Sequence, residues 1–243
     1  LITHKLKEIK AIADRCTVIR RGKVIGTVDV SDTSTSEMAK MMVGREISFS
    51  VEKKEQEPGA VTLEIKNLSV MNSRKVLGLK NFNLSVRAGE IVGVAGVDGN
   101  GQSELVEALT GLSRVAEGNI LLLGEDITNV TIRERIKRGM AHIPEDRQKR
   151  GLVLDYSLEY NMVLEVYADE PYSKHGFLQR EAIRTHSEKL IADFDVRSGQ
   201  GSSGPARSLS GGNQQKAIVG REVDHDPALL IAVQPTRGLD VGS

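Results

Sequence analysis

Two glycine-bearing stretches hold residues whose types and spacing could do chemistry on phosphate. The first, Gly96-Val97-Asp98-Gly99-Asn100-Gly101-Gln102-Ser103, has the spacing G-x-x-x-x-G-[K]-[S/T], with Gln102 at the lysine position. Backbone N–H groups curl around phosphate oxygens only where residues tolerate φ > 0 or lack a Cβ, which is the use of the glycines. A helix starting at about Gly101 adds the positive end of its dipole, and Ser103 sits where a hydroxyl reaches Mg²⁺. Asp98, Asn100 and Glu104 complete the stretch expected to face a nucleotide. The missing cation matters, because two unit charges near 4 Å are worth about 4 kcal/mol gross at an effective dielectric of 20. Taken by itself, the loop reads equally well as a glycine-rich strand-to-helix turn that binds nothing. A dinucleotide fingerprint fits worse, since Glu104 stands where a third glycine is needed.

The second stretch is Leu209-Ser210-Gly211-Gly212-Asn213-Gln214-Gln215, a serine and two glycines ahead of a helix. Ser210 can cap that helix, and the free N–H groups of its first turn form another anion-binding terminus.

Placing these loops requires an α/β frame. Val61, Leu63 and Ile65 alternate, as do Phe82, Leu84 and Val86, predicting two half-buried strands. Ile91 to Ala95 is a continuous apolar run, expected as a strand buried on both faces, and 228–233 is a second such run. Strand, glycine loop and a helix with Leu105, Leu109 and Leu112 on one side open an α/β domain with a parallel sheet. The segment from about 150 to 208 reads as mainly helical. Ser157 is an N-cap there, and a stripe of Ile183, Leu190, Ile191 and Phe194 reads as core packing. Ahead of all this, Leu6, Ile9 and Ala13 fall at helical spacing. Residues 16–20 and 23–28 form two strands around Arg21-Gly22, and Ser36 caps a short helix carrying Met38, Met41 and Met42. Residues 46–60 are charged and aperiodic, as a linker is. The chain opens without Met and stops after a turn sequence, and it reads as an internal piece of a longer polypeptide.

Composition excludes several classes. The 243 residues carry 33 Lys+Arg against 33 Asp+Glu, so no global field recruits nucleic acid. Aromatics are 3% with no Trp, which argues against a base-stacking surface. One cysteine excludes a disulfide framework. The histidines at 142, 175, 186 and 225 show no ligand spacing, so no metal beyond Mg²⁺ with nucleotide is expected.

Taken in order, the stretches resemble the ATP-binding cassette (ABC) ATPases. Leu209 to Gln215 is similar to that family's signature motif, and 96–103 to its phosphate loop. Residues 141–147, which hold Glu145-Asp146-Arg147, resemble the Q-loop, and 229–236 resemble the Walker B strand. Gly238-Leu239-Asp240 resembles the D-loop, and His4 falls at the switch-histidine position of a preceding cassette. The wording of 145–147, 211–215 and 235–238 resembles bacterial importers of simple sugars and nucleosides that fuse two cassettes in one polypeptide.

That resemblance implies a P-loop ABC ATPase cassette: a mostly parallel core sheet, an antiparallel β subdomain and a helical subdomain. It implies the tail of a first cassette over 1–45, a linker over 46–60, and a second cassette over 61–243 with its helical subdomain at about 150–208. It also implies ATP with Mg²⁺, weakly held or absent here. The implied partners are the first cassette, transmembrane permease subunits at the cytoplasmic face of the membrane, and indirectly an extracellular solute-binding protein; no nucleic acid is implied. The family holds Mg²⁺ with a Walker B aspartate and polarises water with the next glutamate; here those positions are Val233 and Gln234, and the Q-loop glutamine is Glu145. A non-hydrolysing second site is therefore expected, with Ser210, Gly211 and Gly212 completing the first cassette's active site. The alternatives are a regulatory module that holds ATP without turnover and, less favoured, a soluble ABC ATPase.

Overall fold

The computed structural model describes residues 1–46 and 56–239. The chain divides into two compact units, the larger spanning Gln56–Arg237. Most of the expected linker, 47–55, lies outside the described residues.

The smaller unit contains helix α1 (Leu6–Ile12), strands β1 (Arg15–Arg20) and β2 (Lys23–Asp29), and helix α2 (Thr35–Val43). The two strands pair antiparallel around Arg21 and Gly22, both at positive φ. Leu6 and Ile9 of α1 close a small core with Val30, Met38 and Ala39. The cap of α2 is Ser34 rather than Ser36: Ser34 and Glu37 form a reciprocal capping box. The S-x-x-E spacing begins at Ser34, so it alone satisfies both orphan N–H groups.

In the larger unit, β3 (Val61–Met71) and β4 (Leu77–Arg87) pair antiparallel, with β5 (Val115–Leu122) and β6 (Glu125–Asp126) on the other side of β3, in the order β4-β3-β5-β6. One face buries Leu63, Ile65, Leu68, Val70, Ile120 and Leu122 against Leu105, Ala108 and Leu109 of helix α3 (Gln102–Thr110). Leu112 lies past the Gly111 cap of α3 and is exposed. Helix α4 (Ile132–Lys137) carries the buried Arg135. Its guanidinium donates to the Ala108 and Leu109 carbonyls at the C-terminus of α3 (2.9 and 2.7 Å) and to that of Thr128 (3.0 Å). A cation there offsets the negative end of the helix dipole and satisfies orphan carbonyls.

Strand β7 (Met140–Ile143) pairs in parallel with β10 (Leu229–Ala232), and Val233 N extends the ladder to the Ile143 carbonyl. The expected strand at 91–95 is not in this sheet. Residues 91–97 have no ladder partner among the described residues, and Ile91, Val94 and Val97 are exposed. An apolar run becomes a buried strand only when strands flank it, and neither β7 nor β10 does so. The 228–233 run is also not buried on both faces, since Leu230 is exposed.

Between these strands lie a π-helical turn (Arg147–Gly151), helices α5 (Leu158–Met162), α6 (Arg180–Asp193) and α7 (Gly211–Asp224), and a hairpin of β8 (Ser173–Lys174) and β9 (Phe177–Leu178). The hairpin is a β element inside a segment expected to be mainly helical. Its turn residues His175 and Gly176 both have φ > 0, as a two-residue hairpin turn requires. Ser157 caps α5 as expected, and Leu190, Ile191 and Phe194 pack with Leu158, Met162 and Leu209 into one core. Among the described residues no helix is long and apolar enough to cross a membrane.

Candidate functional site

The glycine loop turns from the extended segment into α3. Gly99 (φ +87°) and Gly101 (φ +102°) are in the left-handed region, and Asn100 N closes a turn onto the Val97 carbonyl. Gly101 is needed for space as well, since a Cβ there would lie 2.8 Å from the Gly78 carbonyl oxygen. Gly96, Asp98, Gly99, Asn100 and Ser103 are exposed, and Glu104 packs its side chain against Gly78. Gln102 does not project outward. Its amide folds across Gly96, where any Cβ would collide with Nε2, and donates to the Val97 carbonyl at 3.2 Å. The loop is thus closed on itself by its own side chain.

At the ends of the parallel strands, Glu145 and Gln234 come together. Gln234 Nε2 donates to Glu145 Oε1 at 3.4 Å, and Arg237 Nη1 pairs with the same oxygen at 3.2 Å. Gln234 holds φ +47°, which brings its amide off the strand end. Asp146, next along, accepts from Gln148 N and Lys149 N (3.0 and 3.1 Å) and caps the π-helical turn. Those backbone donors hold its carboxyl below the usual range. Arg147 donates from Nη1 to the Arg237 carbonyl at 3.0 Å.

The second glycine-bearing stretch opens helix α7. Ser210 is the N-cap of α7: its Oγ accepts from Asn213 N (3.4 Å) and Nδ2 (2.9 Å) and remains exposed. Asn213 Oδ1 accepts from Arg197 N at 2.9 Å. Leu209 and Gln214 are buried, and Gln214 Nε2 donates to the Ala206 carbonyl. Gln215, also buried, donates to the Pro235 carbonyl at 2.9 Å and so ties this helix to the turn after β10. Gly211 and Gly212 form the first turn beside the exposed serine. His4 belongs to the smaller unit, exposed at a bend before α1. Asp240 lies outside the described residues.

These donors do not suit Mg²⁺. The Val233 side chain offers no oxygen, that of Gln234 only an amide, and Glu145 Oε1 is already engaged by a guanidinium. Among the described residues no group of three His, Cys, Asp or Glu side chains is placed to hold a metal. Nucleotide phosphate meets a more suitable surface in the loop's backbone donors and the start of α3, with Gln102 lying across it.

A profile of the family described as ABC transporter matches residues 79–237. The chain belongs to the ABC transporter family. It is 54% identical over 243 residues to a nucleoside import ATP-binding protein, NupA, of Lactococcus lactis, covering 100% of this chain and 48% of that protein. It is also 54% identical to a guanosine import ATP-binding protein, NupO, of Bacillus subtilis, covering 96% of this chain and 45% of that protein. The chain therefore spans about half the length of the curated relatives it matches. Among solved structures it is similar to the dimeric ATP-binding cassette MJ0796 bound to ADP and Pi, with TM-score 0.60, 22% identity, and coverage of 73% of this chain and 76% of that one. This likeness shows that the fold is that of an ABC cassette.

Around these loops the ABC transporter chain has a polar interior that its sequence does not announce. Arg221 Nε and Nη2 donate to Glu222 Oε1 (2.9 and 2.7 Å), and Arg221 Nη1 reaches the Gly151 and Asn161 carbonyls. Glu222 Oε2 accepts from His142 N at 3.0 Å. The pair is almost fully buried and joins α7 to β7, the π-helical turn and α5. Burial, then the charge of Glu222, pushes the Glu165 carboxyl up to about 7, with Arg221 opposing. Burial lowers His142 and His225. An Arg-Glu pair inside a helix reads in sequence as a solvated face.

Proposed function

We propose that this chain is part of the ATP-binding subunit of a membrane importer for nucleosides or simple sugars. In this reading, residues 1–45 end one cassette, 46–60 link, and 61–243 belong to a second. The second cassette's loop at 96–103 does not hydrolyse. Its signature motif, with Ser210, Gly211 and Gly212 at the start of α7, completes the ATP site of the preceding cassette. The observation that carries this is the state of Glu145: its carboxylate is bound by Gln234 and Arg237, and β10 ends without a carboxylate. Among the described residues no free carboxylate stands at the end of β10 to act as a general base toward a water. Gln102, turned onto the Val97 carbonyl, does not offer its amide outward. The exposed cap and first turn of α7 remain available to an anion.

The relatives named for nucleoside and guanosine import support the substrate class. Permease subunits, an external solute-binding protein and a peripheral place on the cytoplasmic membrane face follow from the same reading. ATP with Mg²⁺ is then the cofactor of the preceding cassette, and His4 its switch histidine.

Mutating Ser210 in the two-cassette polypeptide with its permease tests the division. S210A is expected to lower ATP turnover by about 100-fold, the scale on which single transition-state donors act. Unchanged turnover overturns it.

A further inference from the structure

Arg147 touches both halves of the arrangement. On one side its Nη1 donates to the Arg237 carbonyl, and the Arg237 side chain is held by Glu145. On the other, its guanidinium lies against the signature motif: a Cβ on Gly211 would fall 2.5 Å from Arg147 Nη2 and 3.2 Å from its Cζ. With no Cβ on Gly211, the guanidinium lies directly over the first turn of α7, and a side chain there would push the Arg147 tip aside. The Arg147 backbone is fixed from behind by the Asp146 cap. Its Nε is buried and has no hydrogen-bond partner, so the guanidinium is oriented by the Arg237 carbonyl and by packing.

We propose that Arg147 is a positioning residue that ties the lysine-less site to the signature motif. Glu145 and Gln234 hold Arg237, Arg237 holds Arg147, and Arg147 sets where the Ser210-Gly211 N-terminus stands. The Glu145–Arg237 pair occupies the end of the parallel strands, and the position of the Arg237 turn is passed through Arg147 to the motif that meets the other nucleotide. The coupling runs from the Glu145–Arg237 ion pair through the Arg237 main-chain carbonyl to Arg147, and from the Arg147 guanidinium to the backbone at Gly211. The inference rests on the reading that the signature motif of this chain completes the preceding cassette's site.

The test compares R147A, R147K and S210A in the two-cassette polypeptide with its permease, measuring kcat and KM for ATP and amide exchange at Asn213. R147A is expected to lower kcat about tenfold with KM within about twofold, because a displaced signature terminus weakens transition-state contacts more than ground-state binding. Amide exchange at Asn213, whose N–H is held by Ser210 Oγ, should rise about tenfold while that of β3 is unchanged. R147K keeps the charge and one donor, and should recover part of the loss. If S210A abolishes turnover while R147A and R147K keep kcat within about twofold and exchange unchanged, the inference fails and the reading of the signature motif stands. An exchange increase spread over the whole larger unit makes Arg147 merely structural, which also overturns it. If S210A leaves turnover intact, the reading falls and takes the inference with it. Should R147A not fold, kcat and exchange in R147K decide by the same criteria.

Discussion

Arg237 Nη1 stands 3.2 Å from Glu145 Oε1, an ion pair between the turn after β10 and the residue two beyond β7. Both side chains are about half exposed, so the pair contributes little to stability. Its consequence is chemical: the Glu145 carboxylate at the end of the parallel strands faces a guanidinium.

Whatever affinity this chain has for ATP should then be independent of divalent metal. Titration calorimetry with Mg²⁺ and with EDTA is expected to give dissociation constants within about twofold of each other, because the end of β10 carries no carboxylate and Glu145 is paired with Arg237. In V233D/Q234E, which returns carboxylates to the end of β10, adding Mg²⁺ should tighten ATP by about tenfold or more.

Replacing Gln102 changes the loop in two ways at once. Q102K removes the amide that bonds the Val97 carbonyl across Gly96 and supplies a cation toward phosphate. Affinity for ATP should rise by about 10- to 100-fold, a fraction of the gross charge–charge value once desolvation is counted.

How much of this could be read from residues alone differs by element. The glycine turn into α3, the start of α7 with its Ser210 cap and the strands at 61–71 and 77–87 were legible, since spacing and alternation reflect backbone geometry. The 91–95 run was misread. An apolar run signals a buried strand only if its neighbours exist, and exposed Ile91, Val94 and Val97 have none among the described residues. The hairpin at 173–178 was missed because its signal is just two turn residues, His175 and Gly176. The Arg147–Gly211 approach and the buried Arg221–Glu222 pair depend on long-range packing, which leaves no local pattern. Arg135 is of the same kind.

Arg135 should matter for stability far more than an ordinary helix arginine. R135M leaves the carbonyls of Leu109 and Thr128 without the Arg135 donor in a buried place, and that of Ala108 with Gly111 N alone. The cost is expected to be about 3 kcal/mol, given the worth of charged hydrogen bonds and the penalty of orphaned acceptors. Urea unfolding followed by circular dichroism checks it.

Glu165 gives stability a pH dependence. Its carboxyl titrates near 7 in the fold, above the ordinary 4.5, so the folded chain binds more protons than the unfolded one between those values. Stability from this group is therefore fully present below about 4.5 and is lost as pH rises to about 7, by on the order of 2 kcal/mol. E165Q should match the wild type near pH 4.5 and exceed it above pH 7. Equal stability of the two at pH 7.5 contradicts this.

The most direct measurement of the proposed division between the two sites is the ADP formed in a single rapid-quench turnover of the two-cassette polypeptide with its permease, per polypeptide. A non-hydrolytic loop at 96–103 and a signature motif serving the preceding cassette predict one ADP, with any second nucleotide recovered as ATP. Two ADP per polypeptide would show that Val233, Gln234 and Glu145 support hydrolysis after all.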